Sequence, residues 1–182
     1  MHFTLADLVT DIAQNASEAG ADLVELEVHE DDGEFRFLVR DNGKGMTKDE
    51  LDRALDPFVT DGVKHPCRKV GLGIPFLIQT AEQSGGGWDV KSEKGKGTTA
   101  SAWFDTGNVD TPPPGDLPGM FRTILMFDGP ADIHIRRSRK REGGPLLEYE
   151  VRKSDLVDVL GDIEDTESLV LMDKYLRSLE EE

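Results

Sequence analysis

Apolar and polar residues alternate with a period of two in two pairs of short runs, and apolar residues at helical spacing precede and separate these pairs. The first pair covers residues 24–28 and 35–39 on either side of the Asp31–Gly33 turn, and the second covers about 88–92 and 99–104. Alternation of this kind predicts half-buried strands, and a short turn between two runs predicts an antiparallel hairpin. Each hairpin has an apolar face that another layer must cover.

Three segments with helix-spaced apolar residues supply that layer. Thr4 with Asp7 opens the first, Thr47 with Glu50 opens a short second helix, and the third runs from about 74 to 83. A Ser or Thr followed three residues later by an acidic residue is typical of a capping box at a helix N-terminus. The order helix, two strands, helix, loop, helix, two strands predicts an α+β fold with the helices on one face of a mixed, mostly antiparallel sheet.

A stiff segment divides the chain. Residues 107–118 contain three consecutive prolines and two glycines, a composition typical of a linker. We therefore predict a first domain over residues 1–106 and a small α+β C-terminal region over residues 119–182. This region is predicted to hold a helix near 120–127, a basic hairpin over 132–151 and two further helices.

The charge balance limits the kinds of partner. The 182-residue chain has 37 acidic and 21 basic residues and a formal net charge of −16, which argues against broad binding to DNA or to an anionic membrane. No apolar run is long enough to span a bilayer, and no signal peptide follows Met1. A single cysteine excludes an internal disulfide, so we expect a cytoplasmic protein.

Two polar residues on the first predicted helix form a candidate metal site. Asp11 and Asn15 are four residues apart, so their side chains project from the same helix face at the edge of the apolar stripe. A carboxamide oxygen can ligate a hydrated Mg²⁺, and a carboxylate one turn away can orient water. The alternative is two polar residues on a solvated helix surface.

Glycines follow a carboxylate at the end of the second predicted strand. Asp41 precedes Gly43 and Gly45, and such a segment can hold a carboxylate against a flat ligand with an exocyclic amine, such as adenine. A simple Asp-Asn-Gly turn is the alternative. Thr98 begins the last strand and would reach toward Asp41 if the two strands are neighbours.

A third glycine pair precedes the third predicted helix. Gly71 and Gly73 would expose backbone N–H groups at the positive end of the helix dipole, which favours phosphate binding, and Arg68 and Lys69 add cations. An ordinary loop is the alternative for this segment taken alone.

Other features have two interpretations each. Cys67 lies beside basic residues and is either a redox-sensitive thiol or an incidental loop cysteine. The basic run Arg136–Arg141 either binds phosphate or an acidic protein surface, or forms a solvated hairpin tip that carboxylates of the same chain balance. A helix-spaced apolar stripe between Leu169 and Leu179 indicates core packing or a dimer contact.

Taken together, the polar motifs resemble the four sequence boxes of the GHKL ATP-binding superfamily. The segments that carry the resemblance are, in chain order, Asp11 with Asn15, Asp41-x-Gly43-x-Gly45, Gly71-x-Gly73 and Gly97-Thr98. That superfamily includes DNA gyrase B, MutL, the catalytic domains of histidine kinases and the sporulation anti-sigma kinases. The resemblance covers about residues 4–105 and implies a Bergerat-type α/β sandwich.

The resemblance also implies roles for individual residues. Asn15 would be the Mg²⁺ ligand, and Asp41 would read adenine with help from Gly43, Gly45 and Thr98. Gly71 and Gly73, with Lys69 or Arg68, would hold the ATP phosphates, and the segment 58–70 would form a lid. Asp11 would be the catalytic residue, although hydrolytic members have Glu at this position and many histidine kinases have Asn.

We therefore expect a stand-alone cytoplasmic ATP-binding protein that resembles histidine-kinase-like ATPases. Asp11 lies ten residues after Met1, which leaves no room for a phosphoacceptor hairpin before it, so phosphotransfer is expected in trans to a regulatory partner protein. A weak ATPase is the related possibility. The alternative is a non-catalytic, ATP-gated protein-binding module. A fragment of a mismatch-repair protein or topoisomerase is disfavoured by the charge. The sequence leaves the oligomeric state open.

Overall fold

The computed structural model describes residues 3–58 and 73–181. Within them the chain forms six helices and six strands. The elements, in chain order, are α1 Leu5–Glu18, β1 Leu23–Glu30, β2 Glu34–Asp41, α2 Lys48–Leu55, α3 Gly73–Gln83, β3 Gly87–Glu93, β4 Gly97–Asp105, α4 Leu117–Leu125, β5 Asp132–Lys140, β6 Leu146–Arg152, α5 Lys153–Leu160 and α6 Thr166–Glu180.

The six strands form one mixed sheet in the order β3-β4-β2-β1-β5-β6. Only the β1–β5 pair is parallel, and every other neighbouring pair is antiparallel. Side chains alternate between the two faces of a strand, and the buried positions of the central strands all fall on one face. The predicted α+β sandwich with a mostly antiparallel sheet is confirmed.

Helix α1 covers the centre of that face. Its apolar stripe is fully buried, with Leu5, Leu8 and Val9 showing no exposed surface. Both predicted capping boxes are present, because Thr4 and Thr47 each exchange hydrogen bonds with the acidic residue three positions later. The caps fix where α1 and α2 begin, and therefore which α1 residues face the sheet.

The C-terminal region extends the same sheet and shares its core. Strand β5 pairs with β1, and α4 packs between α1 and α6. Helix α4 begins at Leu117, inside the predicted linker, because Asp116 caps it and Pro118 suits its first turn. The preceding prolines lie against α1, where Pro113 O and Pro114 O accept from the backbone N–H groups of the first α1 turn. The division into two domains stays a prediction.

The basic run of β5 is balanced by carboxylates of the same chain. Arg136 pairs with Glu27, and Arg137 and Arg139 both pair with Glu180 on α6. The balancing carboxylates agree with the second interpretation of Arg136–Arg141, but the solvated tip is wrong at Arg137, which is buried.

The apolar stripe of α6 packs inward. Met172 and Leu176 have no exposed surface and belong to the same core as α1. Core packing therefore accounts for the stripe between Leu169 and Leu179. Among the described residues, no helix is both long and apolar enough to cross a membrane.

Candidate functional site

A cavity of about 230 Å³ opens between α1, the sheet and the start of α3. Five residues predicted for the binding site line it: Asn15, Asp41, Gly45, Gly73 and Thr98. The residues on its walls come from five separate parts of the chain. The structure thus brings together residues that are up to 83 positions apart in the sequence, from Asn15 to Thr98.

Asn15 and Asp11 point to different places although they are one turn apart. Asn15 is half-buried and lines the cavity. Asp11 is exposed and lines an open depression between α1 and α4, which it shares with Asp116 and Arg122. The structure therefore does not place Asp11 among the described residues that line the cavity.

Asp41 is the buried charge of the site. Only 7% of the residue is exposed, and its Oδ1 accepts a hydrogen bond of 2.8 Å from the Gly43 N–H. Burial raises the pKa of the Asp41 carboxyl above 3.8, and this effect outweighs the Gly43 and Thr98 backbone N–H groups, which lower it. The result is a desolvated acceptor that is available to a ligand in the cavity.

Thr98 lies directly beside Asp41. The two residues are register partners on β4 and β2, so their side chains share a sheet face. Strands β2 and β4 are therefore neighbours, which is the condition under which Thr98 would reach toward Asp41.

The loop after β2 comes too close to its neighbours for ordinary side chains. Gly45 has a φ of +61°, and a Cβ there would overlap the carbonyl oxygen of Glu93. A Cβ at Gly43 would lie 2.9 Å from Asp41 Oδ1. Glycine at both positions lets the chain bend around the buried carboxylate.

Replacing Gly45 with Ala is expected to destabilise the protein by more than about 2 kcal/mol, because strain at positive φ of about 1–2 kcal/mol adds to the overlap with Glu93. Urea unfolding of Gly45→Ala measures this cost. Gly143→Ala is the matched control, because Gly143 has a similar φ of +71° and open space around it. Equal costs in the two variants would contradict the overlap at Gly45.

The N-terminal part of helix α3, as described, lies at the cavity wall. Gly73 is its first described residue, and Gly73, Ile74 and Pro75 all line the cavity, so the positive half of the helix dipole borders it. A Cβ at Gly73 would lie 3.2 Å from Asn15 Nδ2. Glycine therefore allows α3 to begin close to the Asn15 amide.

Several predicted residues lie outside the described part of the chain. These are Arg68, Lys69, Gly71 and Cys67, together with the lid segment beyond Phe58. Their predicted roles stay predictions.

The cavity also contains residues that the motifs did not single out. Ile12, Ala16 and Met46 form apolar walls, Ala54 reaches the cavity from α2, and Lys44 adds a cation. Lys44 lies between two glycines of the predicted ligand loop, and this position could have identified it as a site residue. The apolar walls had no such signal, because they are also ordinary core positions of α1.

The donor set fits a magnesium–nucleotide complex and does not fit a metal held by protein alone. Among the described residues, no group of three or more His, Cys, Asp or Glu side chains could hold a metal ion. Asn15 provides one amide oxygen at the cavity, and Mg²⁺ characteristically completes its shell with phosphate oxygens and water.

Comparison with known proteins agrees with this geometry. The model of the family described as "Histidine kinase-, DNA gyrase B-, and HSP90-like ATPase" matches residues 3–108. The sensor histidine kinase ZraS of Escherichia coli (strain K12) is 32% identical over 93 residues, which are 51% of this chain and 17% of that protein. Sensor protein SrrB of Staphylococcus aureus (strain NCTC 8325 / PS 47) is 31% identical over 96 residues, 50% of this chain and 16% of SrrB.

A solved structure described as the N-terminal domain of a DNA repair protein matches with a TM-score of 0.47 and 16% identity, over 80% of this chain and 51% of that one. The chain spans about a sixth of the length of the two curated relatives. The family model, by contrast, covers more than half of the chain. The chain therefore belongs to the histidine kinase-, DNA gyrase B- and HSP90-like ATPase family.

Proposed function

We propose that the chain binds ATP with Mg²⁺ in the cavity between α1 and the sheet. The observation that carries this proposal is that Asn15 and Asp41, predicted as the metal and base ligands, line one cavity. The Asp41 carboxylate would accept from the exocyclic amine of adenine. Asn15 would hold Mg²⁺, and the N-terminal end of α3 at Gly73 would face the phosphates. The cavity volume of about 230 Å³ is below the ~300–1,000 Å³ of typical ligand pockets, so the described residues would enclose only part of the nucleotide.

The chemistry that the bound Mg²⁺ would supply is neutralisation of charge on the phosphate oxygens. The residues of this chain would bind the nucleotide and orient it. Asp41 would fix the base, the apolar walls at Ile12 and Ala16 would exclude water from it, and Asn15 would fix the metal relative to the start of α3.

We further propose that the protein acts as a regulatory kinase that phosphorylates a partner in trans, or as a weak ATPase. Both relatives named above are sensor proteins, and one is named a histidine kinase. Among the described residues the histidines are His29 and His134, and both lie on the sheet face opposite Asp41. Neither of these two side chains faces the cavity.

A second candidate function is an ATP-gated protein-binding module without turnover. The observation that favours it is the position of Asp11, which lines the depression beside α4 and not the cavity. In this reading, nucleotide binding would change a surface that a regulatory partner recognises.

Binding of ATP is expected to exceed binding of GTP by at least about tenfold, because the Asp41 carboxylate accepts from an amine and repels the 6-oxo group of guanine. Isothermal titration calorimetry of the purified protein with ATP, ADP and GTP in excess Mg²⁺ measures this preference. Absence of ATP binding, or equal affinities for ATP and GTP, would overturn the proposal.

Turnover separates the two candidate functions. If the protein is a kinase or ATPase that uses Asp11, phosphate release or transfer from ATP falls by about 10²–10⁴-fold in Asp11→Ala while ATP affinity is retained. Turnover in the wild type and in Asp11→Ala is measured as release of labelled phosphate, with and without cell lysate as a source of the partner. Tight ATP binding with no turnover in the wild type would favour the binding module.

A further inference from the structure

We propose that Ser92 is a positioning residue that sets base specificity by making the Thr98 hydroxyl a hydrogen-bond acceptor toward the cavity. This inference rests on the proposed function, because it concerns the base that the cavity holds. Ser92 is itself outside the set of described residues that line the cavity. It acts through a neighbour.

Ser92 belongs to a row of three polar residues across the sheet. Ser92 on β3 is the register partner of Thr98 on β4, and Thr98 is the register partner of Asp41 on β2. Register partners have their side chains on the same face, so all three lie on the covered face of the sheet. The row leads from the sheet edge into the cavity.

The Ser92 hydroxyl makes three short contacts. Its Oγ accepts from the Met46 N–H at 2.8 Å, lies 2.7 Å from Thr98 Oγ1 and lies 3.2 Å from the carbonyl oxygen of Gly97. Ser92 is half-buried, and no described buried side-chain N or O atom lacks a hydrogen-bond partner. Buried polar groups in native proteins are generally hydrogen-bonded.

Counting hydrogens fixes the direction of each bond. A serine hydroxyl has one hydrogen to donate and two lone pairs. The Met46 N–H can only donate and the Gly97 carbonyl can only accept, so Ser92 accepts from Met46 and donates to Gly97. The 2.7 Å contact then has a hydrogen only if Thr98 donates to Ser92. This is the one arrangement in which all three contacts are hydrogen bonds.

The consequence is that Thr98 faces the cavity with lone pairs. Its only hydroxyl hydrogen is used on Ser92, and the neighbouring Asp41 carboxylate is also an acceptor. Two adjacent acceptors select a ligand edge that offers N–H groups, such as the 6-amino group of adenine. A 6-oxo purine brings lone pairs to the same place and is rejected by both residues.

A purely structural role for Ser92 makes a different prediction. The Met46 N–H bond ties the loop between β2 and α2 to β3, and Met46 lines the cavity. If this anchoring were the whole role, loss of Ser92 would weaken every nucleotide equally. If Ser92 orients the Thr98 hydrogen, its loss frees that hydroxyl to rotate and donate to a 6-oxo group.

The test compares ATP with inosine triphosphate, whose base has an oxo group in place of the 6-amino group and carries a hydrogen on N1. In Ser92→Ala we expect the preference for ATP over the inosine nucleotide to fall by about fivefold relative to wild type, from calorimetric affinities. In a Thr98→Val background the same serine change is expected to leave the preference unaltered, because the hydroxyl it orients is gone. Ser92→Thr keeps the hydroxyl and is expected to restore the wild-type preference.

Ser101→Ala is the matched control, because Ser101 lies on β4 on the opposite sheet face. An unchanged ATP preference in Ser92→Ala, or an equal loss for both nucleotides, would overturn the inference while leaving the proposed function intact. Failure of the wild type to bind ATP would instead overturn the proposed function. If Ser92→Ala does not fold, the Thr98→Val cycle is run with Ser92→Cys, which keeps the size of the side chain and weakens its hydrogen bonds.

Discussion

Asp41→Asn is expected to lower ATP affinity by about a hundredfold and to leave the ligand-free protein at least as stable as the wild type. The asparagine side chain presents either its NH₂ group or an uncharged oxygen to the adenine amine, where the wild type presents a carboxylate. A hydrogen bond to a buried charged group contributes about 1.5–3 kcal/mol, and 2.7 kcal/mol corresponds to a hundredfold change in affinity. Calorimetry with ATP measures the loss.

The stability part of this prediction follows from the direction of the Asp41 pKa. Burial raises the pKa of Asp41 in the folded protein above its unfolded value of 3.8. As pH rises from the unfolded pKa to the folded pKa, Asp41 loses its proton first in the unfolded chain, and the free energy of unfolding falls. This loss of stability is complete above the folded pKa and persists at neutral pH. An uncharged residue removes that cost.

Urea unfolding at pH 7 checks the prediction, with Asp110→Asn as a control for the same chemical change at an exposed position. A large loss of stability in ligand-free Asp41→Asn would show that the carboxylate serves the fold. Wild-type ATP affinity in this variant would remove Asp41 from the site altogether. A buried residue that is costly to the empty protein and necessary for binding has the energetic signature of a functional group.

Local sequence patterns predicted the part of the site that depends on single elements. The helical period of α1 fixes the face on which Asn15 lies, and the period of two in β2 fixes that of Asp41. Once one apolar layer covers the sheet, these two faces have to meet. The cavity between Asn15 and Asp41 is therefore a consequence of periodicity, which a single sequence contains.

Contacts between distant strands could not be predicted in the same way. The parallel pairing of β1 with β5 joins residues about 109 positions apart, such as Leu26 with Ile135, and no turn motif specifies it. The role of Ser92 likewise exists only through its register with Thr98. Strand register across a sheet depends on the whole fold. Neither the core that the C-terminal region shares nor the place of Ser92 beside Thr98 could therefore be predicted from local patterns.

The burial of Arg137 was also missed, although the sequence contains a signal for it. Arg137 continues the buried series Ile133 and Ile135 at a period of two, yet it belongs to a run of basic residues that indicated an exposed surface. In the structure, the alternation of the strand determines that Arg137 is buried. Arg137 is 1% exposed, whereas its neighbour Arg136 is exposed.

Arg137→Ala is expected to destabilise the protein by about 3–5 kcal/mol, which is a large part of the stability of a domain of this size. The Arg137 guanidinium donates to Glu180 at 2.9 Å, to Glu30 at 2.7 Å and to the Ser138 carbonyl at 2.9 Å. Removing it leaves two partly buried carboxylates facing each other without their shared cation. It also removes one of the links between α6 and the sheet, because Glu180 is the last residue of that helix, and leaves Arg139 and Tyr149 as the other partners of Glu180.

Glu180 reports the same loss through its titration. Burial alone would raise the pKa of Glu180, but hydrogen bonds from Arg137 and Tyr149 and the attraction of Arg139 hold it below 4.5. A lowered pKa stabilises the folded state above pH 4.5, and this stabilisation is lost as pH falls through the native pKa. In Arg137→Ala the pKa of Glu180 is expected to rise, so unfolding by acid should begin at a higher pH.

Urea and acid unfolding of three variants test this network. Arg136→Ala removes an exposed guanidinium from the same strand and is expected to cost less than about 1 kcal/mol. Arg137→Lys keeps the charge but loses the planar fork that reaches Glu30 and Glu180 together, so an intermediate cost is expected, and it remains readable if the alanine variant does not fold. Equal costs at positions 136 and 137 would show that the buried arginine contributes no more than a surface pair. The expected difference would instead mean that Arg137, buried by strand alternation, contributes more than a surface pair to holding the C-terminal helix on the sheet that lines the cavity.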